Sequence, residues 1–334
     1  MSKKLGSARV LTLRAPAKIN LGLRVLSRRS DGYHDIVSLM VPVGLFDVVC
    51  VQSAPSGIEL ICPDSDLPRD QGNLVHRAAQ LILRHCGSDA GVRLELHKRI
   101  PVGAGLGGGS SDAAATLKGV NELLGRCLAN QDLHSLAVRL GADVPFFLLG
   151  GAALAEGIGD RLTPVAAVPE VWTMLVDPGF QVSTRWAYEH LALTNKANRS
   201  NLRNLGAIPA GKVTAYHRCL LGRQGLTLED LLPCLVNDFE PLVFSHYPQL
   251  EEIRQALLAA GAQAALMTGS GPTLVGLFAS EDEAKAGQNR VSGRLEIKSF
   301  VVPTIGGDSW RDEVVGDDSD GALDSSFPCL VGCP

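Results

Sequence analysis

The chain has 334 residues, 46% of them hydrophobic and 20% charged, which is ordinary for a globular protein and long enough for two domains. Its net charge of −4 is unevenly placed: Gly306–Pro334 holds seven acids against Arg311, a net of −6, so the preceding body carries +2. Such a body suits a small anionic substrate, and the absence of a basic stripe excludes nucleic acid as a partner.

The opening Met1-Ser-Lys-Lys-Leu-Gly has no apolar stretch of the signal-peptide kind. The longest apolar run, Val144–Ala155, is 12 residues with two glycines, short of the roughly 20 that span a bilayer. Cys50, Cys62, Cys86, Cys127, Cys219, Cys234, Cys329 and Cys333 are scattered without a C-x-x-C pair, so neither a zinc site nor a disulfide framework is suggested. The expectation is a reduced, cytoplasmic protein without a membrane partner, a monomer or a homodimer.

Along the chain, Ala8–Leu13 alternates as a strand and Ile19–Leu26 resumes strand character after Pro16. Arg28–Gly32 reads as a hairpin turn, because Asp31-Gly32 supplies the positive φ such turns require. Asp47–Gln52 and Gly57–Cys62 are further short strands. Asn73–Cys86 has helical apolar spacing with Gly87 as its stop. Val92–Leu96 is a strand, Asp112–Leu124 and Leu133–Leu140 are helices, and Phe146–Ala155 returns to strand character. Beyond Val165 the pattern restarts with a strand at Trp172–Val176 and a helix at Thr184–Leu193. A polar loop follows at Asn195–Asn204. Leu228–Glu240, broken at Pro233, and Gln249–Ala260 are helical. Ala264–Thr268, Thr273–Phe278 and Leu295–Val301 are strands, with a helix near Glu281–Val291. The first half is therefore a β-rich α+β unit and the second a smaller α/β sandwich, followed by an acidic tail of disordered composition.

The segment Pro101-Val-Gly-Ala-Gly-Leu-Gly-Gly-Gly-Ser-Ser111 carries the chemistry. Gly103, Gly105, Gly107, Gly108 and Gly109 let the backbone approach an anion and turn its N–H groups inward, and the next helix aims its positive end at the same place. Ser110 and Ser111 add hydroxyls for phosphate or Mg²⁺. Gly103-x-Gly105-x-x-Gly108 matches a dinucleotide fingerprint formally, but no acid ends a second strand about 20 residues later. A P-loop is excluded because no lysine precedes the serines. A strand-to-helix turn without a ligand would need fewer glycines.

With Ala15-Pro-Ala-Lys-Ile-Asn-Leu21 and Met267-Thr-Gly-Ser-Gly-Pro-Thr273, this loop resembles the GHMP kinase superfamily, the galactokinase, homoserine kinase and mevalonate kinase group. Arg29-Ser-Asp-Gly-Tyr-His34 and Leu140-Gly-Ala-Asp-Val-Pro145 narrow the likeness to members that act on a cytidine-bearing alcohol. Asn73-Leu74 and Ala155-Glu-Gly-Ile-Gly159 agree, and Asp112 departs from the asparagine of some members. The resemblance implies an α+β, two-domain GHMP kinase fold. Residues 1–165 would form a ribosomal protein S5 domain 2-like ATP-binding domain and 166–305 a ferredoxin-like α/β sandwich, with 306–334 as the tail. It implies ATP and Mg²⁺ as cofactors and a cytidine diphosphate-linked methylerythritol as substrate.

Residue by residue, it makes Asp143 the base for the attacking hydroxyl, although alone Asp143 could be a turn or cap residue. Lys18 would lower that hydroxyl's pKa, where unaided it could be a lysine snorkelling from a sheet face. Asn20 would bond the substrate from the same strand face. Tyr33 would stack on cytosine, His34 would read its edge, and Tyr188, a turn after Thr184, would cover the other side. Both aromatic sites could equally be loop edge or helix packing. Pro101, Ala104 and Leu106 would frame the phosphate loop, Asn73 and Lys98 would line the adenosine pocket, and Gly269, Ser270 and Gly271 would shape the loop beside phosphates and substrate. No protein metal ligand is implied.

Overall fold

The protein is described here as a computed structural model covering residues 10–165, 168–197, 227–293 and 297–306. The long strands β1 (Leu11–Arg28) and β2 (His34–Ala54) pair antiparallel around the Arg29–Tyr33 turn. β1 does not break at Pro16. A register shift between Pro16 and Ala17 absorbs the missing N–H donor, so two expected strands are one. β3 (Ile58–Ile61) runs parallel to β4 (Gly91–His97), and β5 (Ala153–Gly157) and β6 (Arg161–Pro164) complete a six-stranded sheet in the order β3-β4-β2-β5-β6, with β1 paired to β2. A second, four-stranded antiparallel sheet has the order β10 (Lys298–Pro303), β7 (Trp172–Asp177), β9 (Leu274–Phe278), β8 (Ala264–Met267). This is the α+β architecture expected, built on two sheets.

Helices α1 (Leu74–His85) and α2 (Gly108–Leu123) lie against the first sheet. α2 can come this close because it presents small residues: a Cβ on Gly119 would sit 2.7 Å from Val51 and 2.8 Å from Leu13. Ala15–Leu23 of β1 is buried on both faces, which erases the polar alternation of a surface strand. One apolar cluster joins Ile19, Leu21 and Val41 of the first sheet to Leu175, Leu266 and Val275 of the second. The halves thus share a core.

Several expectations need correction. α2 begins at Gly108, not Asp112, so Gly108–Ser111 form its first turn. The helix expected at Leu133–Leu140 is present as α3, which starts a turn earlier (Asn130–Leu140), but the first part of the strand expected at Phe146–Ala155 lies in the short helix α4 (Val144–Leu149), and strand begins only at Ala153. Its Pro145 sits in the first turn, where no N–H is needed, and Gly150 closes it in the left-handed conformation. Leu228–Glu240 is not one broken helix: Leu228–Leu231 is α-helical, Leu232–Cys234 is a 3₁₀ turn, and a new helix runs Glu240–His246. Helix α5 spans Thr184–Ala197, so the expected polar loop at Asn195–Asn204 begins as helix, and its remainder lies outside the described residues. The acidic tail also lies outside them, apart from Gly306. Cys86, the cap of α1, is bonded to Cys127 beyond α2, a disulfide that the scattered spacing did not suggest. Among the described residues no helix is long and apolar enough to cross a membrane.

Candidate active site

β1 runs beneath the glycine loop, and Lys18 N donates to Leu106 O at 2.9 Å. From the second half, Thr273 Oγ1 donates to Ala104 O at 2.7 Å and Gln181 Nε2 to Val102 O at 3.1 Å. Gly105 and Gly107 adopt φ of +79° and +71°. A Cβ on Gly105 would lie 2.9 Å from Gly271 O, and one on Gly107 would lie 3.0 Å from both Lys18 and Phe147. Only glycine fits there. Gly107 is the N-cap of α2, so the first amides of that helix have no partner within it and are available to an anion. Ser110 faces the open side. Ser111 is buried, and its Oγ has no partner among the described residues.

The Lys18 ammonium, buried on β1, donates to Asn20 Oδ1 at 2.7 Å and lies 3.6 Å from Asp143 Oδ2. Asn20 is fixed in turn: its Nδ2 donates to Ser38 Oγ, and its backbone N–H to Thr268 Oγ1, each at 2.7 Å. Asp143 ends the α3–α4 turn with its side chain 38% exposed, so its carboxylate is paired with Lys18 and still open to a ligand. That pair borders a cavity of about 1020 Å³, which also takes in Tyr33, His34, Gly105, Gly107, Ser110, Thr184, Tyr188, Gly269 and Ser270. Thr184 and Ser270 share a hydroxyl hydrogen bond of 2.8 Å, which ties α5 to the second glycine turn.

At the far end, the rings of His34 and Tyr188 stack with centroids 5.1 Å apart, and Tyr188 rests edge-on against Phe239. The Tyr188 face expected to meet a base is therefore taken by His34, while Tyr33 is 61% exposed and free to stack. Burial, then the nearby Arg28 charge, lowers the His34 pKa and favours its neutral form, with one donor and one acceptor nitrogen. Burial, then the Asp143 carboxylate, pushes the Tyr188 phenol up to about 12.

Asn73 and Lys98 do not line this cavity. Asn73 caps α1 through Val75 N at 3.0 Å and donates to Pro68 O at 2.9 Å. Lys98 is buried between Asp47 and Asp112. Asp47, and Asn237, whose Nδ2 donates to Met267 O and Gly269 O at 2.6 and 2.8 Å, were not anticipated as site supports. A lone acid within the apolar run Val43–Val51 was the available signal for Asp47.

Profiles of the GHMP kinases N terminal domain and the GHMP kinases C terminal domain match residues 73–151 and 222–297. Over 293 residues, 87% of this chain and 97% of the relative, the sequence is 44% identical to 4-diphosphocytidyl-2-C-methyl-D-erythritol kinase of Geobacter metallireducens. The chain belongs to the GHMP kinase family. A second GHMP kinase relative, the protein of the same name from Syntrophus aciditrophicus, is 43% identical over 83% of this chain and 92% of its own. The crystal structure of a 4-(cytidine 5'-diphospho)-2C-methyl-D-erythritol kinase superposes with a TM-score of 0.70 at 34% identity, covering 89% of this chain and all of the other. The crystal structure of L. major mevalonate kinase superposes with a TM-score of 0.72 at 18% identity over 92% and 99% of the two chains, a likeness of fold alone.

Proposed function

We propose that this GHMP kinase transfers the γ-phosphoryl group of ATP to the 2-hydroxyl of 4-diphosphocytidyl-2-C-methyl-D-erythritol, giving the 2-phosphate and ADP in the non-mevalonate route to isoprenoid precursors. The observation that carries this reading is the Lys18–Asp143 ion pair in one cavity with the glycine loop on one side and the Tyr33–His34 turn on the other. Relatives at 43–44% identity bear the name of that kinase.

In this reading the loop Gly103–Ser111 receives the triphosphate on its amides. The acceptor hydroxyl lies between Lys18 and Asp143. Asp143 takes the hydroxyl proton as the new oxygen–phosphorus bond forms and the bond to ADP breaks. Lys18, held by Asn20, offsets the charge that builds on the reacting oxygens. Tyr33 stacks on cytosine, and neutral His34 offers a donor and an acceptor to its edge, so the substrate displaces the His34–Tyr188 stack or binds outside it. The unpartnered Ser111 hydroxyl, with Ser110 beside it, suits Mg²⁺ brought in on the nucleotide. Among the described residues no cluster of three His, Cys, Asp or Glu side chains offers a protein cage. Bound there, Mg²⁺ would neutralise phosphate charge.

Asp143→Asn tests the assignment. Kcat should fall about 10²–10⁴-fold, the usual worth of a positioned general base, while ADP binding stays near wild type. A variant that keeps wild-type kcat removes Asp143 from the role.

A further inference from the structure

The two ends of the glycine loop are tied to one buried carboxylate that none of the chemistry above uses. Asp47 projects from the middle of β2 and is fully buried. Its Oδ1 accepts the backbone N–H groups of Arg99 and Ile100, at 2.6 and 2.9 Å, where the chain leaves β4 for the loop. Its Oδ2 accepts from the Lys98 ammonium, which also donates to Asp112 Oδ2 at 2.7 Å. Asp112 stands in the second turn of α2, just past the loop's exit. The same ammonium runs close under the loop: a Cβ on Gly108 would be 3.2 Å from Lys98 Nζ. Entry, exit and underside of the loop therefore converge on three side chains.

We propose that Asp47, Lys98 and Asp112 form a positioning triad that locks both ends of the glycine loop to β2, so that its amides stand ready before a nucleotide arrives. The arrangement carries a cost that packing alone does not require. Two carboxylates share one buried ammonium, and Asp112 Oδ1 is buried with no partner among the described residues. Apolar residues of similar volume would fill the space more cheaply, so the distinctive product of the triad is a fixed loop. Burial and the neighbouring Asp47 charge together push Asp112 well above the usual carboxylate range, towards a neutral acid. Burial works against the Lys98 charge, but Asp112 and Asp47 outweigh it and raise its pKa.

This inference rests on the nucleotide reading of the loop, and ADP binding by the wild-type protein separates the two, since no binding overturns both. The informative pair is Asp112→Ala and Asp112→Asn. Each leaves Asp47 and Lys98 charge-balanced, but only the asparagine keeps an oxygen for the Lys98 ammonium. Asp112→Ala should weaken ADP binding by about tenfold or more and raise KM for ATP in step, leaving KM for the alcohol substrate unchanged. In the nucleotide-free protein it should also speed amide hydrogen exchange across residues 99–111, which loss of a direct ligand contact would not do. Asp112→Asn should stay within about threefold of wild type in both readouts. Wild-type affinity and exchange in Asp112→Ala, or an Asp112→Asn as impaired as the alanine, overturns the triad. If Asp112→Ala does not fold, Asp112→Leu removes the same tie while keeping side-chain volume and leaving Asp47 and Lys98 paired, and the same criteria apply to it.

Discussion

Tyr33 is 61% exposed at the cavity rim, and the turn that presents it is held by its neighbours. Asp31 Oδ1 accepts Tyr33 N at 3.1 Å, its Oδ2 takes the Arg29 guanidinium, and Gly32 supplies a φ of +90°. An exposed aromatic on a braced turn has little packing to lose and a base to gain. Tyr33→Ala should therefore raise KM for the cytidylyl alcohol about tenfold or more, in line with the worth of base stacking, and leave KM for ATP and the melting temperature unchanged. Equal rises for both substrates would remove the stacking role. At this scale the sequence was informative wherever a residue's local neighbours announce it. The Asp31-Gly32 turn, the Lys18–Asn20 alternation and the glycines of the loop are of that kind. Asp47 is not: its lysine partner is 51 residues away, and only the isolation of an acid among Val43, Leu45, Phe46 and Val48 hints at it.

Among the elements, α2 matters most, because its N-terminus is the floor of the proposed phosphate site and its body sets how close that floor lies to the sheet. Gly119 is the point of contact. Adding a methyl there drives it against Val51 and Leu13, which are themselves packed in the core. Gly119→Ala should lower stability by about 1–3 kcal/mol, the usual cost of overpacking, as a lowered midpoint in urea with unchanged slope. An unchanged midpoint would mean that α2 can lift off the sheet without loss. Helix α2 was legible as a helix but not at its start, since Gly108 and Gly109 have poor helical propensity. The cap geometry of Gly107 and the packing of Gly108 over Ile100 decide the matter instead. In α4 the apolar Phe146-Phe147-Leu148-Leu149 suggested a strand, although Pro145 and Gly150, a helix's start and stop signals, were both present.

Across the whole molecule, the site depends on contacts that no local pattern reveals. The glycine loop is pinned by β1 through Lys18 N, by the second sheet's turn through Thr273, and by Gln181 before α5. Leu23 exchanges backbone hydrogen bonds with Val236 and Asp238, which joins β1 to the other half. The two-half plan followed from the restart of the pattern near Val165, whereas the shared core and the Cys86–Cys127 bond are tertiary facts with no signature in spacing. These ties bring the glycine loop, the Lys18–Asp143 pair and the Tyr33–His34 turn to one cavity, and that nucleotide and cytidylyl alcohol meet there is the proposal on which the rest depends. It is tested most directly by offering the protein ATP–Mg²⁺ with 4-diphosphocytidyl-2-C-methyl-D-erythritol, mevalonate, homoserine or galactose, and following ADP and phosphorus NMR of the product. ADP in step with a new phosphate monoester, from the cytidylyl alcohol alone, is the predicted result. ADP formed with a different acceptor, or with none of the four, would contradict it.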